Sequence, residues 1–104
     1  MNMILGDFLR TIESEITPAV QESYDNTGLQ VGDMNAEINK VLICFDLTME
    51  VLEEAKAQKC DLIISHHPVI FKPLSKIDLR NEQGAMIAFA LRNNISVYAM
   101  HTSI

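Results

Sequence analysis

Two apolar runs separated by an amphipathic segment are the feature that most constrains the fold of this 104-residue chain. The runs, Lys40–Phe45 and Asp61–Ser65, are rich in aliphatic residues that favour strands. A continuous apolar run is typical of a strand covered on both faces, and hence of a parallel sheet. Between them, residues 49–58 have a helical pattern, and Thr48 is suited to cap its start. The sequence therefore predicts a right-handed βαβ unit.

Further helices and strands are predicted on either side of this unit. Apolar residues recur at intervals of three and four from Ile4 to Ile16, which indicates an amphipathic helix. Leu29–Val31 alternates like a short edge strand. Residues 84–92 resemble a second crossover helix that ends at Asn93–Asn94, and Ile95–Ala99 resembles a third buried strand. Together these elements predict an α/β fold, with a mostly parallel sheet and crossover helices on its faces.

Length and composition favour a single α/β domain over residues 1–104, since 48% of residues are hydrophobic and 21% are charged. No apolar run reaches membrane-spanning length and the amino terminus lacks signal-peptide features, so we expect a cytoplasmic protein without a membrane partner. The net charge of −6 argues against a nucleic-acid partner. A small phosphorylated ligand on a local metal remains compatible with that charge.

Cys44 and Cys60 are expected to be reduced thiols.

Polar residues follow each of three predicted strands. Asp46 follows the first, His66 and His67 follow the second, and His101 follows the third. Pro68 keeps His67 out of the helical region. Ligands of open α/β sheets bind in the crevice beyond the carboxyl ends of the strands, where parallel neighbours would gather these side chains. A metal site is one interpretation. A pair of half-exposed loop histidines is the alternative, because two ligands do not close a site.

Two segments keep open interpretations. Asp25 and Asn26 either form a polar turn before the edge strand or face the site. Val69–Leu74 contains Pro73 and follows Pro68, and it is unusually apolar for a surface loop. We expect this loop to pack against another part of the protein or against a partner subunit.

Four successive motifs resemble those of the Ngg-interacting-factor-like proteins, the type-two GTP cyclohydrolase I homologues. They are YDNTGLQVG at 24–32, FDLT at 45–48, ISHHPVIFKPL at 64–74 and YAMHTS at 98–103. The resemblance spans essentially the whole chain in the right order. It implies a dinuclear metal-binding protein in which the His-His-Pro motif supplies two metal ligands, here His66 and His67.

The resemblance also implies that this chain is the amino-terminal lobe of a two-lobed fold and carries part of the site. A His-Thr-x-x-Asp motif supplies a carboxylate ligand in the family, and here only its first part is present, as HTSI at 101–104. The remaining family ligands, a His and a Glu one helical turn apart, belong to a carboxyl-terminal portion. With the strand-end positions, this makes His101 either a hydrogen-bonding group behind a metal ligand or a catalytic proton carrier, and Asp46 a hydrogen-bond acceptor behind a metal ligand.

The implied function is metal-dependent hydrolysis of a nucleotide-like substrate by water activated on two divalent ions, with zinc, iron or manganese as candidates. Family members are commonly homo-oligomers that form hexameric rings. The alternative is a non-catalytic metal-binding scaffold or regulatory protein that acts through oligomer assembly. A polar, substrate-sized pocket beside the metals would favour the hydrolase, and a closed coordination shell would favour the scaffold. For this chain alone, we expect weak metal binding, no hydrolysis and self-association.

Overall fold

A four-stranded sheet with helices on both faces forms the centre of the fold. The computed structural model describes residues 3–14, 28–67, 70 and 74–100. The elements in chain order are β1 (Met3–Ile4), α1 (Leu5–Ser14), β2 (Gly28–Val31), β3 (Glu37–Ile38), β4 (Val41–Cys44), α2 (Met49–Ala57), β5 (Leu62–Ser65), α3 (Glu82–Arg92) and β6 (Ser96–Ala99).

The sheet order is β2-β6-β5-β4. Strands β4, β5 and β6 are parallel neighbours, and β2 joins the edge of the sheet antiparallel to β6. The predicted α/β class with a mostly parallel sheet is therefore confirmed, as is the edge position of β2. A separate antiparallel pair, β1 with β3, was not predicted. Each of these strands has only two residues, too few to produce a hydrophobic period.

The two faces of the sheet bury different side chains, because successive residues of a strand point to opposite sides. Helices α2 and α3 cover one face, where their buried residues pack with Ile63 and Val97 of the sheet. Helix α1 covers the other, where Leu5 and Leu9 pack with Leu62 and Tyr98. The buried stripe predicted for the first helix is thus confirmed at Leu5 and Leu9, whereas Ile4 lies in β1 and Ile16 lies outside the described residues.

The prediction that the β4 run is covered on both faces is wrong for the end of that run. The side chains of Ile43 and Phe45 are 78% and 72% exposed. Strand β4 is an edge strand, and the α1 cluster extends to Val41, which is partly buried against it. Among the residues that the structure describes, the carboxyl-terminal half of β4 therefore presents an apolar surface on this face.

Side chains fix the helix ends. Thr48 Oγ1 accepts a hydrogen bond from the Val51 amide at 3.1 Å, which confirms the predicted cap of α2. Asn81 caps α3 by accepting from the Gly84 amide at 2.7 Å, so this helix begins two residues before the predicted start. It ends at Asn93 and Asn94, as predicted, and Asn94 has a φ of 55°.

None of the three helices in the described part of the chain has the length and apolar character needed to cross a membrane. Cys60 is buried, Cys44 is half-buried and both are free thiols, in agreement with the prediction that they are not disulfide-bonded.

Candidate metal centre

Asp46 and His67 meet at the carboxyl ends of two neighbouring parallel strands. Cys44 and Ser65 pair as the last residues of β4 and β5, so the residues just beyond them emerge side by side. The His67 Nδ1 lies 2.6 Å from the Asp46 Oδ1. A carboxylate can only accept a hydrogen bond, so Nδ1 is the donor, and in the neutral imidazole Nε2 then carries the lone pair that could bind a metal. The predicted convergence of these two strand ends is confirmed.

The two imidazoles and a phenyl ring form an aromatic cluster at this edge. The ring centroids of His66 and His67 are 4.8 Å apart, with the rings at 74°. The Phe45 centroid lies 5.1 Å from that of His66 and 6.4 Å from that of His67. The ring contacts and the Asp46 carboxylate restrict the orientations that the imidazoles can adopt.

Backbone hydrogen bonds hold the His-His segment against the end of β4. The His66 amide donates to the carbonyl oxygens of Cys44 and Phe45 at 3.0 and 3.1 Å, and the His67 amide also donates to Phe45 at 3.1 Å. The hydroxyl of Ser65, which is fully buried, lies 3.1 Å from the Phe45 carbonyl oxygen and 2.7 Å from that of His67. These contacts position both imidazoles through a rigid backbone, which a ligand site requires.

A shallow concavity of about 340 Å³ adjoins this cluster. It is lined by Ile43, Cys44, Phe45 and His66. Burial raises the pKa of the Cys44 thiol, and the nearby Asp46 carboxylate adds to this effect against an opposing hydrogen bond with Ser65. The raised pKa favours the neutral thiol over the nucleophilic thiolate, so Cys44 lines the concavity as an uncharged group.

Several residues singled out in the sequence lie outside the described part of the chain. They are Asp25, Asn26, Pro68, His101 and most of the apolar loop, namely Val69 and residues 71–73. The role of His101 and the orientation of Asp25 and Asn26 therefore stay predictions. After the histidines, the Ile70 amide donates to Gln30 Oε1 at 3.1 Å, which links Ile70 to β2.

Imidazole nitrogens suit divalent transition ions, and a carboxylate behind a ligating histidine is the usual support of such a ligand. His66, His67 and Asp46 therefore fit part of a metal site. Within the described residues, no group of three or more His, Cys, Asp or Glu side chains is arranged to hold a metal ion. A metal ion bound at these residues would need further donors from outside the described part of the chain.

The sequence interpretation missed the roles of Ser65 and Phe45. Both lie within motifs that were quoted for the family resemblance, yet their local pattern resembles ordinary strand residues. A serine at the end of an otherwise aliphatic strand is a signal that could have identified Ser65, because a buried hydroxyl needs a partner.

A comparison with protein families decides the identity of the fold. The model of the Duf34/NIF3 (NGG1p interacting factor 3) family matches residues 3–104. The chain belongs to this family. Its structure is similar to that of a Staphylococcus aureus hypothetical protein, with a TM-score of 0.90 and 35% identity over 97% of this chain and 33% of that one. A Bacillus cereus protein related to NIF3 has a TM-score of 0.88 and 34% identity, over 96% of this chain and 28% of that one.

Curated relatives carry the name expected from the motifs. The GTP cyclohydrolase 1 type 2 homolog of Clostridium acetobutylicum is 38% identical over 104 residues, which are 100% of this chain and 39% of the relative. The GTP cyclohydrolase 1 type 2 of Helicobacter pylori is 40% identical over 84 residues, 81% of this chain and 34% of that protein. The chain thus spans about two-fifths or less of the length of these relatives. NIF3 family folds are two-lobed, and the predicted fold class, one lobe of such a fold, is confirmed.

Proposed function

We propose that this chain contributes His66 and His67 as metal ligands to a hydrolase that acts on a nucleotide-like substrate at a dinuclear centre. The observation that carries the proposal is the pair of adjacent imidazoles at the strand ends, with His67 Nδ1 held 2.6 Å from Asp46. Two divalent ions, with zinc, iron or manganese as candidates, suit imidazole and carboxylate donors. The names of the curated relatives support a nucleotide, GTP, as the model substrate.

The chemistry supplied by two bound divalent ions is a water of lowered pKa and stabilisation of the charge that develops during attack. The residues of this chain would hold the two histidines in the orientation that binds the ions. Asp46 holds the Nδ1 proton of His67, and Ser65 and the Phe45 carbonyl fix the backbone that carries both histidines. His101, outside the described residues, is proposed to carry a proton to or from the substrate.

The chain alone is expected to bind metal weakly and to have no hydrolytic activity. Two imidazoles leave a metal with too few protein ligands for a tight site. We propose that the missing donors belong to the His-Thr-x-x-Asp motif and to a carboxyl-terminal portion, which the family resemblance supports. The homo-oligomeric, hexameric assembly is proposed for the complete protein on the same basis.

Cobalt spectroscopy tests both the ligands and the substrate class. We expect Co²⁺ added to the chain to develop visible absorption bands that are lost in His67→Ala and shifted when GTP is added. Asp7→Ala is the control, because it removes an exposed carboxylate on α1 that is paired with Arg10 and not with a histidine. Bands that persist in His67→Ala would contradict the proposed ligand. Bands that respond equally to GTP and to inorganic phosphate would contradict a nucleotide substrate.

The second candidate function is a metal-binding scaffold that works through assembly. Exposed apolar side chains favour it, namely Leu74, Ile77 and Leu79 in the segment after the histidines. The open concavity beside His66 favours the hydrolase, because a site that turns over substrate must admit it. Co²⁺ bands insensitive to every nucleotide, in a chain that self-associates, are the result expected of the scaffold.

A further inference from the structure

Phe45 is an exposed aromatic ring at the edge of the candidate metal centre. Its side chain is 72% exposed although its centroid lies 5.1 Å from that of His66. The neighbouring Ile43 is 78% exposed. A single exposed apolar residue needs no explanation, but two beside a cluster of imidazoles form an apolar surface next to polar groups, which is typical of a ligand site.

The size and lining of the concavity indicate the kind of group that it accepts. Its volume of about 340 Å³ lies in the lower part of the range, about 300–1,000 Å³, that small-molecule sites occupy. Ile43 and the Phe45 ring provide apolar walls, and the His66 imidazole provides a hydrogen-bonding group. An apolar wall with one polar group suits a planar heterocycle, which stacks through its face and hydrogen-bonds through its edge.

The described residues that line the concavity favour an uncharged occupant over a phosphate. These residues, Ile43, Cys44, Phe45 and His66, include no Lys or Arg. Asp46 directly follows Phe45 in the chain, and its carboxylate lies against His67. An anion placed against the Phe45 wall would meet no cationic side chain among these residues, which favours an uncharged group there, while the ions proposed at the histidines would attract the phosphates.

We propose that Phe45 is a stacking platform for the planar base of the substrate, and that the concavity is the base subsite. This inference rests on the proposed function and deepens it, since the base would lie beside His66 while the phosphates lie outside the concavity. Phe45 is thus a specificity-determining residue. It selects for a flat heterocycle and discriminates little between different bases, because every base has a π-face.

A base without phosphates provides the test, with guanosine as the probe and a chelator present to remove metals. We expect guanosine to bind wild type weakly but saturably in ligand-observed NMR. Phe45→Leu should bind on the order of 10- to 100-fold more weakly, since stacking is lost while apolar bulk is kept. Because the side chain is exposed, the substitution leaves the core intact. Equal binding by Phe45→Leu and wild type, or no saturable binding at all, would overturn the inference.

An inserted fluorophore gives a second measurement. The chain has no tryptophan, so Phe45→Trp introduces a single reporter, and Ile77→Trp is the control because Ile77 is 57% exposed and does not line the concavity. Saturable quenching by guanosine at position 45 only is the expected result, and equal quenching at both positions contradicts it. If the chain binds guanosine but does not bind metal at His66 and His67, the metal proposal alone is overturned. Metal binding without guanosine binding would overturn the base subsite alone.

Discussion

The contact between Asp46 and His67 is the residue-scale feature on which the account depends most. The two side chains come from different strands, 21 positions apart in the sequence, and meet at 2.6 Å. The carboxylate accepts the Nδ1 proton and thereby fixes the tautomer and orientation of the imidazole. It acts through the histidine and is therefore a positioning residue.

Removing this carboxylate should weaken metal binding without unfolding the chain. We expect Asp46→Ala to lower the affinity for Zn²⁺ by about 10- to 100-fold. Asp46→Asn should have a smaller effect, because the amide oxygen still accepts the Nδ1 proton while the charge is lost. Titration calorimetry measures the change, and Asp7→Ala on α1 is the matched control. An Asp46→Ala affinity equal to that of wild type would show that the contact does not support a ligand.

Sequence reasoning predicted that Asp46, His66 and His67 converge, because the ends of adjacent parallel strands lie at one edge of a sheet. It could not predict the hydroxyl contacts of Ser65 or the exposure of Phe45. The first depends on which carbonyls the end of β4 presents. The second depends on how far α1 extends along the sheet, which is a tertiary property.

At the scale of elements, the crossover helix α3 depends on a glycine at a close backbone contact. A Cβ built at Gly84 would lie 2.1 Å from the carbonyl oxygen of Asp78. The Gly84 amide also donates to the Asn81 cap. The segment before α3 therefore lies directly against its first turn, and only glycine fits this position.

Gly84→Ala should destabilise the chain by about 3 kcal/mol or more, because the backbone of Asp78 must move to remove the overlap. Gly6→Ala is the control in another helix, since its Cβ would meet the Met34 carbonyl oxygen at 3.2 Å. Gly6→Ala should change the free energy of unfolding by no more than about 1 kcal/mol, because the tight contact offsets the gain in helix propensity. Urea unfolding followed by circular dichroism measures both. Equal midpoints for Gly84→Ala and wild type would contradict the contact.

Most helices and strands could be predicted from the sequence because their hydrophobic patterns extend over several residues. Thr48 and Asn93–Asn94 marked helix ends correctly, and the strands lay within a residue or two of their predicted bounds. The pair β1–β3 was missed, because its register, Met3 opposite Ile38, joins segments that have no periodic signal of their own. Its formation depends on tertiary packing around Leu5 and Ile38.

At the scale of the whole molecule, the open face of β4 favours association. An edge strand with exposed apolar residues presents both hydrogen-bonding groups and hydrophobic surface to another chain. Ile43 is the most exposed of the large apolar residues described.

We expect the chain to self-associate, with a weight-average sedimentation coefficient that rises with concentration. Ile43→Lys should reduce this rise, because a charge on an edge strand opposes pairing with a second chain. Leu91→Lys is the control on α3, where the side chain is 55% exposed. Association that is unchanged in Ile43→Lys would place the interface elsewhere, and a strictly monomeric wild type at high concentration would contradict the expectation itself.

The central claim is that the two histidines at the strand ends are metal ligands, and Zn²⁺ titration of the chain and of its His66→Ala/His67→Ala variant tests it most directly. Elemental analysis and calorimetry should show weak but measurable binding to the chain and its loss in the double variant, while circular dichroism shows the same fold in both. Loss is expected because the variant removes both imidazoles that the described structure brings together. Equal binding by the two proteins, or none by either, would contradict the account.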